Sequence, residues 1–215
     1  MAGAAAPGPL DPGSKAGDYE IVRRLGGGAM GDVYEGKHPV IGKRVAIKVI
    51  KQVLASSEEA AQRFIREAKA VNQIDHPNVI DVFAFGRLSD GRLYLVMDLL
   101  LGDSLEEHLR KQGSLSSEEF LAIMESICAA VSAAHNAGVV HRDLKPANVF
   151  LAKSDASEDK VLVLDFGVAK LMSSAEEETG QTLTGQGVWI GTPAYMAPEQ
   201  WTSEGASVHS DIYAL

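Results

Sequence analysis

The spacing of apolar residues changes once along this chain, near Gly102, and that change limits the folds open to it. Before it, apolar side chains alternate through Tyr19, Ile21 and Leu25, then Val33 and Tyr34, then Val45, Ile47 and Val49, with glycine-rich turns between them. A period of two turns one face of each segment to a core, which predicts β-strands over 19–50. One helix interrupts the pattern. Ser56 and Glu59 form a capping-box pair, and Phe64, Ala68 and Val71 mark an apolar stripe over 56–74. Two further strands are predicted at 79–85 and 93–99, around the turn Ser89-Asp90-Gly91.

After Gly102 the period lengthens. Ser104 with Glu107 predicts a short helix to Arg110. Ser116 with Glu119 opens a long one, with the stripe Phe120, Ile123, Ile127, Val131 and Ala134 and a stop at Gly138. Cys128 on that helix is expected as a small core residue. Short strands follow near 148–151 and 161–164, and 166–200 reads as loop. A strand-rich half followed by a helix-rich half is an α+β arrangement rather than a repeating βαβ one.

Composition narrows the function classes. The 215 residues are 46% hydrophobic and 23% charged, ordinary globular usage. One cysteine excludes an intrachain disulfide framework and fits a reducing, cytoplasmic location. No apolar run approaches the ~18 residues of a membrane span. The net charge of -9 is uneven, because residues 103–215 hold 17 acidic and 7 basic side chains. That balance argues against nucleic acid as a partner. Residues 1–17 are mostly Ala, Gly and Pro and are expected to form a disordered leader.

Three blocks carry chemistry. Gly26-Gly27-Gly28-Ala29-Met30-Gly31-Asp32-Val33 is a G-x-G-x-x-G-x-V run between two strands. Such a hairpin either is merely flexible or brings backbone N–H groups close to phosphates with no Cβ in the way. Val45-Ala46-Ile47-Lys48 sets an ammonium inside an apolar strand, where it needs a partner unless its stem runs along the sheet to solvent. Glu67, on the apolar stripe of its helix, is the candidate. The third block, His141-Arg142-Asp143-Leu144-Lys145-Pro146-Ala147-Asn148, is followed by Asp165-Phe166-Gly167 and Ala197-Pro198-Glu199.

These blocks, in this order, resemble the signature set of the eukaryotic-like serine/threonine protein kinases, over about residues 19–215. The run Gly191 to Gln200 looks most like bacterial members. The resemblance implies a two-lobed protein-kinase-like fold: a small β-rich N-lobe over 18–101 with one key helix, and a mostly helical C-lobe over 102–215 that is incomplete. It implies ATP and Mg2+, and transfer of the γ-phosphoryl group to Ser/Thr hydroxyls of protein substrates. Autophosphorylation through self-association is expected. Asp143 would take or orient the hydroxyl proton, and Lys145 would neutralise the moving phosphoryl group. Thr192 would tie the substrate loop to both. Asn148 and Asp165 would ligate magnesium. Leu25, Gly26, Gly28, Gly31 and Val33 would cover the nucleotide, and Lys48, held by Glu67, would grip its α- and β-phosphates. Ala46, Met97, Asp98, Leu100 and Phe150 would frame the adenine. Ser104 would reach the ribose or serve only as a helix cap. His141 would be structural, stacked with Val71, Val82 and Phe166, with Asp211 anchoring that stack through backbone N–H bonds. Phosphate on Thr179, Thr182 or Thr184 could pair with Arg142.

Two departures from the family pattern matter. Gly27 stands where relatives often carry an acidic or polar residue, and a third glycine should loosen the loop. The family's catalytic domain continues beyond the segment Ser210 to Leu215, so truncation is expected, with a weak or inactive nucleotide-binding fragment as the alternative function.

Overall fold

The computed structural model describes residues 8–28, 30–51, 58–153, 159–166, 193–201 and 205–215. The chain divides into two compact units, one of residues up to Arg66 plus Asp81–Leu99, the other of Glu67–Ile80 plus Leu100–Leu215.

The first unit is built on a six-stranded antiparallel sheet. Its strands are β1 (Lys15–Ala16), β2 (Tyr19–Gly27), β3 (Gly31–Lys37), β4 (Arg44–Ile50), β5 (Val82–Arg87) and β6 (Leu93–Asp98), in the spatial order β1-β2-β3-β4-β6-β5. The alternation in the sequence sorts residues to two faces. Tyr34, Val45, Ile47, Val49, Tyr94 and Val96 pack with Ala16, Ile21 and Leu88 on one of them. The register pairs Lys48 with Val33 and Leu95, and Ala46 with Met97, so these five side chains share the other face. β1 corrects the expected disordered leader from Leu10 onward. Ala16 is fully buried, and the Leu10 N–H donates to the Tyr34 hydroxyl at 3.0 Å. A small side chain that fits beneath a neighbouring strand, with ladder bonds to Tyr19 and Glu20, offsets the ordering entropy of this stretch. Residues 1–7 of the leader lie outside the described residues.

Helix α1 runs Glu58–Val71, with two acids in its first turn and Lys69 in its last, matching the helix dipole. Its expected cap, Ser56, lies outside the described residues.

The second unit has α2 (Leu105–Gln112), α3 (Ser117–Asn136) and α4 (Val208–Tyr213), with the three-stranded sheet β7 (Gly102–Ser104), β8 (Val149–Ala152) and β9 (Lys160–Val163). Ser104 and Glu107 complete the predicted capping box, and the Ser116 hydroxyl accepts from the Glu119 N–H at 3.1 Å. Ile123, Ile127, Val131 and Ala134 of α3 are buried with Leu105, Leu144, Val149, Val163 and Phe166. Two expectations fail on this helix. Phe120 is 49% exposed, because it lines an open apolar groove of about 610 Å³ with Leu121, Met124, Leu144 and Tyr195. Cys128 is also exposed, one position past the buried stripe at Ile127.

Candidate active site

The segment 141–145 is irregular backbone leading into a 3-10 turn over Pro146–Asn148, and its start is shaped by a single buried carboxylate. Asp211, 2% exposed at the start of α4, accepts the His141 N–H on Oδ2 and the Arg142 N–H on Oδ1, each at 2.8 Å. Arg142 has φ 72°, a left-handed conformation that costs a non-glycine residue about 1–2 kcal/mol. Two hydrogen bonds to a charged acceptor contribute about 1.5–3 kcal/mol each, enough to hold it there. From the carbonyl side, the Gln200 side-chain N–H donates to the Arg142 C=O at 2.9 Å, while Gln200 Oε1 accepts the Ala197 N–H at 3.0 Å. The anchoring role expected of Asp211 is thus present in the geometry.

His141 is fully buried and neutral. Its Nε2–H donates to the Leu164 C=O at 2.8 Å, and Nδ1 accepts the Asp143 N–H at 3.3 Å. Burial is the main influence on this imidazole and pushes its pKa down, against the pull of Asp211. Its ring lies 4.7 Å from that of Phe166. With neither nitrogen left over, it is a structural member of the loop rather than a base.

The turn aims Asp143 at two partners. Lys145 Nζ lies 2.9 Å from Asp143 Oδ1 and 2.7 Å from Oδ2. Asn148 Nδ2 donates to the Asp143 C=O at 2.7 Å and to Oδ2 at 3.1 Å. Both ionised side chains are largely shielded, Asp143 at 12% and Lys145 at 18% exposure. Asn148 also bonds the residue before Asp165. The Leu164 N–H donates to the Asn148 C=O at 2.8 Å, just beyond the Val149–Val163 pair, so Asn148 and Asp165 sit at one end of the β8–β9 hairpin. Asp165 has φ 61°, a second left-handed residue at the same place. Among the described residues no cluster of three or more His, Cys, Asp or Glu could cage a metal. Magnesium does not need one: a carboxylate and an amide oxygen suit a hard ion that keeps water and phosphate oxygens as its remaining ligands.

The other predicted residues are divided between the units, with Glu67, Leu100 and Phe150 in the second. Lys48 is buried at 6% exposure on the sheet face that also carries Val33, Ala46 and Met97. Glu67 is half-buried on α1, Leu25 is 39% exposed on β2, and Asp98 is exposed, with its carboxylate 3.4 Å from Lys43 Nζ. Leu100 and Phe150, both half-buried, belong to the second unit.

The glycines of the β2–β3 hairpin divide by cause. A Cβ on Gly31 would collide with the Val49 carbonyl oxygen, so the strand pairing itself demands glycine there. Around Gly26 and Gly28 a Cβ would meet nothing, so the hairpin backbone is uncrowded there, while the Gly28 N–H donates to the Gly31 C=O at 2.8 Å. A Cβ on Gly27 would meet only the side-chain ends of Arg24 and Asp32, an ion pair 2.6 Å apart whose flexible ends can shift aside. Ser104 is occupied as a cap: its hydroxyl accepts the Glu107 N–H at 3.2 Å and donates to Glu107 Oε2 at 3.1 Å. Thr192, Gly167, Glu176 to Glu178 and the candidate phosphorylation sites Thr179, Thr182 and Thr184 lie outside the described residues.

The sequence reading missed Gln200 as a clasp and assigned His135 no role. Nothing in local spacing marks either, because their partners lie 58 and 76 residues away.

A sequence model of the protein kinase domain matches residues 19–215. The chain belongs to the protein kinase domain family. It is 41% identical to serine/threonine-protein kinase Pkn1 of Myxococcus xanthus over 94% of its length, and 36% identical to serine/threonine-protein kinase PrkC of Bacillus subtilis over 93%. The crystal structure of the Mycobacterium tuberculosis PknI kinase domain superposes with a TM-score of 0.74 at 31% identity, covering 96% of this chain and 74% of that one. The protein kinase fold is therefore established for the two units. The chain spans 28% of Pkn1 and 29% of PrkC, a fraction of the length of the curated relatives it matches. Among the described residues, no helix is long and apolar enough to cross a membrane.

Proposed function

We propose that this protein transfers the γ-phosphoryl group of ATP to Ser/Thr hydroxyls of protein substrates, in the cytoplasm, where ATP is present. The observation that carries the reading is the Asp143 carboxylate, shielded from water and gripped by Lys145 and Asn148. Phosphoryl transfer needs positioning and charge stabilisation more than covalent help. Asp143 accepts the proton as the substrate oxygen bonds to the γ-phosphorus, and ADP departs with the electrons of the broken P–O bond. Lys145, within 3 Å of that carboxylate, balances the charge of the moving phosphoryl group. Lys48 grips the α- and β-phosphates and is itself held by Glu67. Leu25, Gly26, Gly28, Gly31 and Val33 cover the nucleotide, while Ala46, Met97, Leu100 and Phe150, with the backbone of Asp98, frame the adenine. Asn148 Oδ1 and the Asp165 carboxylate would hold magnesium, which when bound neutralises phosphate charge. Thr192, outside the described residues, is the residue proposed to serve the acceptor segment. Protein substrates include a second copy of this chain, with Thr179, Thr182 and Thr184 as acceptors whose phosphate would pair with Arg142.

Incubation with [γ-32P]ATP and a basic protein acceptor tests this. Wild type should label the acceptor, and Asp143→Asn should lower the rate by about 100-fold or more, the usual contribution of a positioned general base. Equal labelling by both refutes the reading.

A further inference from the structure

One connection in the first unit holds its apolar side chains out to water. β3 and β4 are joined through His38-Pro39-Val40-Ile41-Gly42-Lys43. Val40 is 84% exposed and Ile41 70%, more than any other large hydrophobic side chain among the described residues. Their exposure does not come from a loose loop. The His38 N–H donates to the Lys43 C=O at 2.8 Å, the Gly42 N–H returns to the His38 C=O at 2.9 Å, and His38 Nδ1 accepts the Val40 N–H at 3.2 Å. Gly42, at φ 71°, supplies the left-handed residue that closes the turn. A turn that only reversed the chain would be served by Ser or Asn at its tip, so two ordered aliphatic side chains there call for an apolar contact. Cations surround the tip. Residues 36–44 contain Lys37, Lys43 and Arg44 and no acid. Lys43 Nζ stands 4.2 Å over the half-exposed ring of Phe83. Against these three and Arg23 stand Glu20 opposite Lys37, Asp98 at 3.4 Å from Lys43, and the buried Glu35 between Arg23 and Arg44. The collar is left positive.

We propose that this turn seats the first unit on an anionic lipid surface, with Val40 and Ile41 in the boundary between headgroups and acyl chains and Lys37, Lys43 and Arg44 against the headgroups. The charge pattern selects this occupant. An apolar pocket on another protein would take the two aliphatic side chains without needing the basic collar, whereas an anionic bilayer attracts both at once. The turn is already ordered by its own hydrogen bonds, so docking costs little conformational entropy. The acidic excess of the chain lies elsewhere in the sequence, because residues 1–102 hold 13 basic and 12 acidic side chains. None of these five residues belongs to the phosphotransfer site proposed above.

The test is co-sedimentation of the whole chain with phosphatidylcholine vesicles, with and without about 30% phosphatidylglycerol, at about 0.1 M salt. Wild type should pellet with the anionic vesicles about tenfold better than with the neutral ones, and release as salt rises to about 1 M. Val40→Ser/Ile41→Ser should lower the partition coefficient by about tenfold or more, because the apolar area then has nothing to bury. Lys37→Gln and Lys43→Gln should each lower it by about threefold to fivefold with the apolar tip intact. Unfolding midpoints of the variants should match wild type, since the changed side chains lie at the surface. The lysine variants keep the test decisive if the serine pair does not fold. Absence of wild-type binding to the anionic vesicles overturns the proposal. So does equal binding by wild type and the serine pair, or equal partitioning into neutral and anionic vesicles. A gain in mass without vesicles, seen by light scattering and abolished in the serine pair, also overturns it, because a second copy would then be the occupant.

Discussion

Asp211→Asn is the most informative single change in the second unit. The substitution preserves volume, so any loss comes from hydrogen bonding rather than a cavity. In the native site three donors converge on two carboxylate oxygens, each at 2.8 Å. An amide has one oxygen and one NH2. Turned one way, its NH2 faces the Arg142 N–H; turned the other, it faces the His141 N–H and His135. At least one backbone N–H is left buried against another donor in either case. Losing a hydrogen bond to a charged acceptor costs about 1.5–3 kcal/mol, and a buried donor without a partner costs about 1–3 more. The left-handed Arg142, at φ 72°, then sits about 1–2 kcal/mol above its relaxed conformation with a weaker restraint. The expected loss is about 3–5 kcal/mol, and with about 2–4 °C per kcal/mol for a chain of this size the unfolding midpoint should fall by roughly 6–20 °C. Urea unfolding followed by tryptophan fluorescence is the assay, because both tryptophans, Trp189 and Trp201, lie beyond Leu100 and report the second unit. A loss below about 1 kcal/mol, no larger than an ordinary surface change, would refute the clamp.

Two further outcomes test the electrostatics of the first unit and the cap of the second. Glu35 is buried between Arg44, at 2.7 Å, and Arg23, at 2.9 Å, and the Arg44 hydrogen bond is the main reason its pKa lies below the ordinary 4.5. A carboxylate with a depressed folded pKa contributes stability that is present above 4.5 and lost as pH falls through the folded value. Glu35→Gln should therefore be less stable than wild type by about 1–3 kcal/mol at neutral pH, with the gap narrowing as pH falls below 4.5; a pH-independent gap in urea titrations contradicts the assignment. Ser104→Ala should cost about 1 kcal/mol of stability as a lost helix cap and leave ATP affinity within about twofold, whereas a ribose contact would show as weakened nucleotide binding in calorimetry.

Much of the fold was legible because local rules and tertiary packing agree. The capping pairs Ser104–Glu107 and Ser116–Glu119 mark the starts of α2 and α3, and the alternation over 44–50 places Lys48 on one face and Ile47 on the other. The misreadings came where a neighbour outranked composition. Residues 10–16 looked too poor in large apolar side chains to order, yet Ala16 needs only a small space beneath Tyr34 and its cluster. Phe120 kept the period of its helix but faces an open groove.

By itself, the sequence determined the strand and helix segments and the identity of the chemical groups, since periodicity, caps and motif order are properties of neighbours along the chain. Tertiary structure alone decided how Asp143 is aimed. That direction depends on Asp211 and Gln200, which reach the loop from 69 and 58 residues away in pairs that no local spacing encodes. Each contributes one or two short-range hydrogen bonds, and a bond of 2.8 Å exists only once the elements that carry its two ends have packed.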